Sequence, residues 1–146
     1  MTEIETLLPH REPFLFVDEV MNAEPGSITA RHVFTENEFF FRGHFPGYPV
    51  VPGVILIETM AQAGGAGLRK MGVLKEDCLF FLGTVDKVKF RRQVRAGEEV
   101  RLEIENLRVS ARMIKQAGKA FVGSELAAEA EWMCLTGGRP SGAAAP

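Results

Sequence analysis

Glu58 is the only charged residue in the run Val54-Ile-Leu-Ile-Glu-Thr-Met-Ala-Gln62, and that setting limits what it can do. A carboxylate buried among such neighbours is costly to ionise, so it must be protonated, paired or open to a cavity. Thr59 and Gln62 are polar too, and an exposed stripe carrying all three is the competing arrangement. His44 sits among Gly43, Pro46, Gly47, Pro49, Pro52 and Gly53. An imidazole with a pKa of roughly 6.5 can take a proton at neutral pH. Backbone constraint on both sides holds such a side chain to catalytic tolerance; an ordinary surface or core histidine is the alternative. Gly53 stands where a helix would open. Its N–H and those of Val54 and Ile55 lack helical partners and point outward with the positive end of the dipole. A base, an acid of raised pKa and donors for an enolate-like oxygen fit one reaction class.

These residues need elements to hold them. Val54 to Lys70 is free of proline and nearly free of charge, with Pro52-Gly53 to start a helix, Arg69-Lys70 in its last turn and Gly72 to stop it. Apolar on nearly every face, this helix must be buried. Gly64, Gly65 and Gly67 weaken it by roughly 1 kcal/mol each, a cost that makes sense if another backbone lies close. The stretch from Phe39 to Gly53, interrupted by three prolines, reads as an ordered aromatic loop. Phe14 to Val20 reads as a mostly buried strand. Ile28 to Phe34 is a second, with Ile28, Ala30 and Val33 inward.

Downstream the chain is rich in strand patterns. Leu79 to Arg91 alternates from Thr84 onward. Val100, Leu102 and Ile104 share a face, continued by Leu107, Val109, Ala111 and Met113 after a bulge at Glu105-Asn106. Lys119 to Val122 and Glu125 to Cys134 flank a two-residue turn at Gly123-Ser124. One buried helix and about six mostly antiparallel strands predict an α+β domain over residues 1–135, a curved sheet around a long central helix. Residues 136–146 read as a flexible Gly/Ala/Pro tail. Open sheet edges predict pairing with a second copy.

Composition excludes several classes. A formal net charge of -2 gives no field for nucleic acid. No apolar run reaches the roughly 20 residues of a membrane span. The N-terminus carries acids where a signal peptide carries bases, so a cytoplasmic protein is expected. Cys78 and Cys134 have no CxxC spacing and, with three scattered histidines, make a poor metal set. No metal or other cofactor is expected.

The run His44-Phe-Pro-Gly-Tyr-Pro-Val-Val-Pro-Gly-Val54, followed by Glu58, Ala61 and Gln62, resembles the signature of the (3R)-hydroxyacyl-acyl-carrier-protein dehydratases of type II fatty acid synthesis. Leu8-Pro9-His10-Arg11 with Pro13-Phe14-Leu15 and Val17-Asp18, then Asp86-Lys-Val-Lys-Phe-Arg91 and Gly97, resemble further motifs of that family. The likeness covers roughly residues 6–135. Gln93 and Ala96 depart from it, standing where prolines are common.

The resemblance implies a hot-dog fold and an active site at a dimer interface, with His44 of one subunit facing Glu58 of the other, and further assembly into a trimer of dimers. A glutamate at position 58, in place of aspartate, implies the branch that dehydrates without isomerising. In the implied mechanism Gly53 and Val54 bind the thioester carbonyl, His44 removes the α-proton and Glu58 protonates the departing β-hydroxyl, with Gln62 orienting the carboxyl or the water. Phe80, Phe81 and Leu82 are candidates to line the acyl tunnel, unless they are simply core. Lys87, Lys89, Arg91, Arg92 and Arg95 are candidates to dock an acidic carrier protein bearing phosphopantetheine, unless they form only a solvated sheet face. The alternatives are another hot-dog activity, enoyl-CoA hydration or thioester hydrolysis, or a non-catalytic acyl-binding protein.

Overall fold

The apolar run forms one helix, α2, Gly53–Lys70, with Pro52 as its N-cap residue and Gly72 at φ +77° just past its end. Only glycine takes that conformation without steric cost, so the helix stops there. Twelve of its residues, from Ile55 to Leu68, are buried. The glycine-rich face is closely packed, with side chains as its nearest neighbours. A Cβ on Gly64 would meet the Gln116 amide, one on Gly65 the Phe80 ring, and one on Gly67 the Ile28 side chain.

A computed structural model describes residues 1–138 of this chain. A short capped helix, α1 (Glu3–Leu7), precedes β1 (Glu19–Ala23) and β2 (Ser27–Val33). One 3-10 turn, Phe39–Arg42, then leads into the His44 loop and α2. After α2 come β3 (Cys78–Phe90), β4 (Glu99–Val109), β5 (Met113–Val122) and β6 (Glu125–Gly138). The strands form one antiparallel sheet in the order β1-β2-β4-β5-β6-β3. All six pack on α2, which is the hot-dog architecture. Among the described residues no helix is long and apolar enough to cross a membrane.

Several local expectations are corrected. Leu15, Phe16 and Val17 are buried but lie outside any strand. Their segment is held by a side chain of α2, since Gln62 Oε1 accepts from the Phe16 N–H at 2.9 Å and its Nε2 donates to the Phe14 carbonyl at 3.1 Å. In β2 strict alternation turns His32 inward in place of Val33. A turn through Ser110 separates β4 from β5, where the sequence suggests one continuous run; Ser110 bonds Met113 through both backbone and side chain. The β4 irregularity falls between Asn106 and Arg108, slightly later than expected. Thr136, Gly137 and Gly138, assigned to the tail by sequence, extend β6 and pair with Phe80, Leu79 and Cys78. The rest of the tail lies outside the described residues.

Candidate active site

Glu58 lies in the second turn of α2 with 21% of its side chain exposed. Gln62, one turn on and fully buried, donates from Nε2 to Glu58 Oε2 at 2.9 Å. The other two bonds of Gln62 go to the backbone of Phe14 and Phe16, so its amide cannot rotate without breaking all three. This fixes Oε2 of the carboxyl and leaves Oε1 for the acid proton. Burial raises the Glu58 pKa, and the Gln62 bond offsets only part of that rise.

Glu58 opens onto a cleft of about 590 Å³ lined by Pro9, His10, Phe14 and Leu79 to Leu82. The three tunnel candidates, Phe80, Phe81 and Leu82, thus share a wall with Glu58. Phe80 packs into the space left by Gly65, while Phe81 is 60% exposed on β3, which is an edge strand. A mostly apolar cleft of this size with one polar group on its wall is the kind of site that takes a small apolar ligand by burial and orients it by that group.

His44 follows the 3-10 turn, and its backbone N–H donates to the Phe40 carbonyl at 3.0 Å. Its Nδ1 lies 3.0 Å from the Val50 carbonyl, an acceptor only. That contact favours the tautomer with the proton on Nδ1, leaving Nε2 with a free lone pair, as a base requires. The loop is clamped by the Val50 N–H to His44 carbonyl bond, the Val51 N–H to Val94 carbonyl bond and the Tyr48 hydroxyl to Gln93 bond at 2.8 Å. Within one chain, however, His44 is not among the residues lining the Glu58 cleft.

At the start of α2 the N–H groups of Gly53 and Val54 have no acceptor among the described residues, and Val54 is 71% exposed. The Ile55 N–H is not free as the sequence suggests; it donates to the Pro52 carbonyl at 2.9 Å. Two donors remain. A Cβ on Gly53 would lie 2.7 Å from the tip of the Phe90 ring, so a larger residue here would have to displace that half-exposed side chain.

The basic segment meets an acidic row on β6 and a carboxylate in its own loop. Lys87 pairs with Glu131 at 3.2 Å, Arg91 with Glu129 at 2.9 Å and Arg92 with Glu98 at 2.9 Å. Lys89 stands opposite Glu129 in the β3–β6 register, and the Arg95 guanidinium stacks over Tyr48 at 4.4 Å. Among the described residues, no cluster of three or more His, Cys, Asp or Glu side chains is placed to hold a metal ion.

Two histidines without a role in the sequence reading matter here. His10 Nε2 lies 3.6 Å from Glu58 Oε2, although 48 positions separate them in the chain. No spacing rule connects such residues; only the fold does. His32 is buried between Asp18 at 2.9 Å and Glu38 at 3.1 Å. Glu38 is the N-cap residue of the 3-10 turn, so this triad ties the N-terminal leader and the approach to His44 onto β2. Burial alone would lower the His32 pKa, but the bonds and charges of the two carboxylates outweigh it and raise it from 6.5 to about 9. A raised folded-state pKa means the stabilisation is complete below 6.5 and is lost as pH rises through about 9. Thermal melts from pH 6 to 10 should show the wild-type midpoint falling more steeply toward the alkaline end than that of His32→Gln. Parallel curves would show that this triad contributes nothing.

The chain is similar to known proteins over nearly its whole length. Residues 8–131 match the FabA-like domain family. The chain is 46% identical over 136 residues to a 3-hydroxyacyl-[acyl-carrier-protein] dehydratase FabZ from Desulforamulus reducens, covering 92% of this chain and 94% of that one. It is 43% identical to the enzyme of the same name from Pelotomaculum thermopropionicum, covering 91% and 95%. Among solved structures it superposes on a chain of the dehydratase heterocomplex ApeI:P from Xenorhabdus doucetiae with a TM-score of 0.78 at 18% identity, covering 97% and 93%. A thioesterase from Haemophilus influenzae gives 0.59 at 14%, covering 82% and 78%, so at such distances likeness speaks for the fold alone. With its sequence aligned almost end to end on these relatives, the chain belongs to the FabA-like family and, within it, to the FabZ-type dehydratases.

Proposed function

We propose that this protein dehydrates (3R)-hydroxyacyl groups carried on acyl carrier protein to trans-2-enoyl groups in type II fatty acid synthesis. The observation that carries the reading is Glu58: a carboxyl of raised pKa, oriented by Gln62 and set in an apolar cleft. The relatives named as FabZ support the substrate class. The Nε2 of His44 takes the α-proton. The C–H electron pair becomes the new double bond, the C–O bond breaks, and the departing oxygen takes the proton from Glu58 and leaves as water. The N–H groups of Gly53 and Val54 stabilise the thioester oxygen as it gains charge. Proton transfers and charge stabilisation suffice for an elimination β to a thioester.

His44 and Glu58 belong to one site only if a second subunit brings them together. Support comes from edge strand β3, whose Phe81 and Leu82 are exposed on the cleft wall and whose Val85 and Phe90 are exposed further along the same strand. An edge so apolar is an aggregation hazard unless another copy covers it. A homodimer joined there, and a trimer of dimers built from it, is the assembly we favour. The free thiols Cys78 and Cys134 fit a reducing cytoplasm.

The test is conversion of (3R)-hydroxybutyryl carrier protein, with product thioester and free thiol both measured. Enoyl thioester without thiol release is expected; thiol release would mark a hydrolase. The docking role of the basic segment is tested in the same assay. Arg91→Glu opposes Glu129 and should raise KM for carrier-bound substrate about fivefold or more, leaving a short thioester mimic unaffected. Equal effects on both substrates would refute docking there.

A further inference from the structure

We propose that His10 is a positioning residue for Glu58, a neutral imidazole that donates from Nε2 to Oε2 and keeps the acid proton on Oε1, an inference that rests on the proposed role of Glu58. His10 lines the same cleft, with its ring 5.7 Å from that of Phe80. Its Nδ1 is buried with no hydrogen-bond partner among the described residues. A proton on Nδ1 would therefore bury an unsatisfied N–H, so the neutral ring carries its proton on Nε2, the atom that faces Glu58. Burial, and then the neighbouring Arg11 guanidinium, also lower the His10 pKa. The ring is thus a donor, not a cation.

At 3.6 Å the contact is longer than a hydrogen bond. Catalytic contacts are often loose without substrate and tighten in the Michaelis complex. Oε2 has two lone pairs, one taken by Gln62 and one free for His10. As Glu58 gives up its proton, both donors stabilise the carboxylate that forms. Among the described residues, Cys134 of β6 also feels that charge; its thiol is pushed up to about 12 by burial and then by Glu58, so it stays neutral. Gln62 carries no charge, and Arg11 is drawn toward Glu5 at 3.5 Å. In the proposed dimer, His44 of the partner subunit also faces the carboxyl.

The experiment compares His10→Met, which keeps bulk and loses the donor, with His10→Gln, which restores an N–H. His10→Met should lower kcat about tenfold with KM little changed. Losing a donor to the carboxylate raises its pKa, so the alkaline limb of the kcat profile should move up by about half a pH unit or more. His10→Gln should recover most of both. A role in packing alone would move neither the limb nor its rescue. If His10→Met has wild-type kcat and an unmoved limb while Glu58→Gln is inactive, the His10 inference fails alone. If Glu58→Gln is active, the reading beneath it fails. Should His10→Met not fold, ring nitrogen NMR shifts of wild-type His10 decide. The neutral Nε2–H form at pH 7 is expected, and an imidazolium or Nδ1–H form would overturn the proposal.

Discussion

Glu58→Gln should lower kcat for dehydration by roughly 10²–10⁴-fold, the usual contribution of a positioned general acid. Glutamine matches glutamate in shape, and its amide oxygen can still accept the Gln62 bond that orients the carboxyl. The one thing removed is the acid proton, so KM should change little and the fold should hold. The pH dependence follows from the same physics. Burial raises the Glu58 pKa, so the protonated, active form persists above the ordinary carboxylate range. Wild-type kcat should therefore fall as pH rises through that elevated pKa, and this limb should be absent from the residual activity of Glu58→Gln. Stopped-flow dehydration from pH 5 to 9 checks both points. A variant within about tenfold of wild type would remove Glu58 from the chemistry.

His44→Ala should cost a comparable factor, roughly 10²–10⁴ in kcat, by removing the base. The loop should survive the change. Its backbone bonds from Val50 to His44 and from Val51 to Val94 do not involve the imidazole, nor does the Tyr48–Gln93 bond. What is lost is the Nδ1 contact to the Val50 carbonyl, so the melting temperature should shift by a few degrees at most. A large activity loss with near-native stability identifies a base; a parallel loss of both would mark His44 as structural.

Much of this was legible in the sequence because it rests on local rules. The glycine at position 72, the basic last turn and the absence of proline define α2 almost to the residue. A carboxyl in so apolar a helix must be special wherever the helix goes, and Glu58 has a raised pKa. What the sequence obscured depends on long-range partners. Leu15 to Val17 has the composition of a strand, yet Gln62 takes up backbone bonds beside it. His32 can turn inward because Asp18 and Glu38 satisfy both ring nitrogens, which no pattern of alternation reveals. The basic run from Lys87 to Arg95 looks like a free patch until β6 places Glu129 and Glu131 beside it. His10 meets Glu58 through the path of the leader alone.

Subunit mixing probes the shared site most directly. His44→Ala and Glu58→Gln, each nearly inactive, are unfolded together and refolded as an equal mixture. If each site draws its histidine from one subunit and its glutamate from the other, every mixed dimer holds one intact site. Random reassortment then restores about a quarter of wild-type activity. If both residues of a site come from the same chain, no mixed dimer holds an intact site, and activity that stays at the level of the single variants would contradict the account.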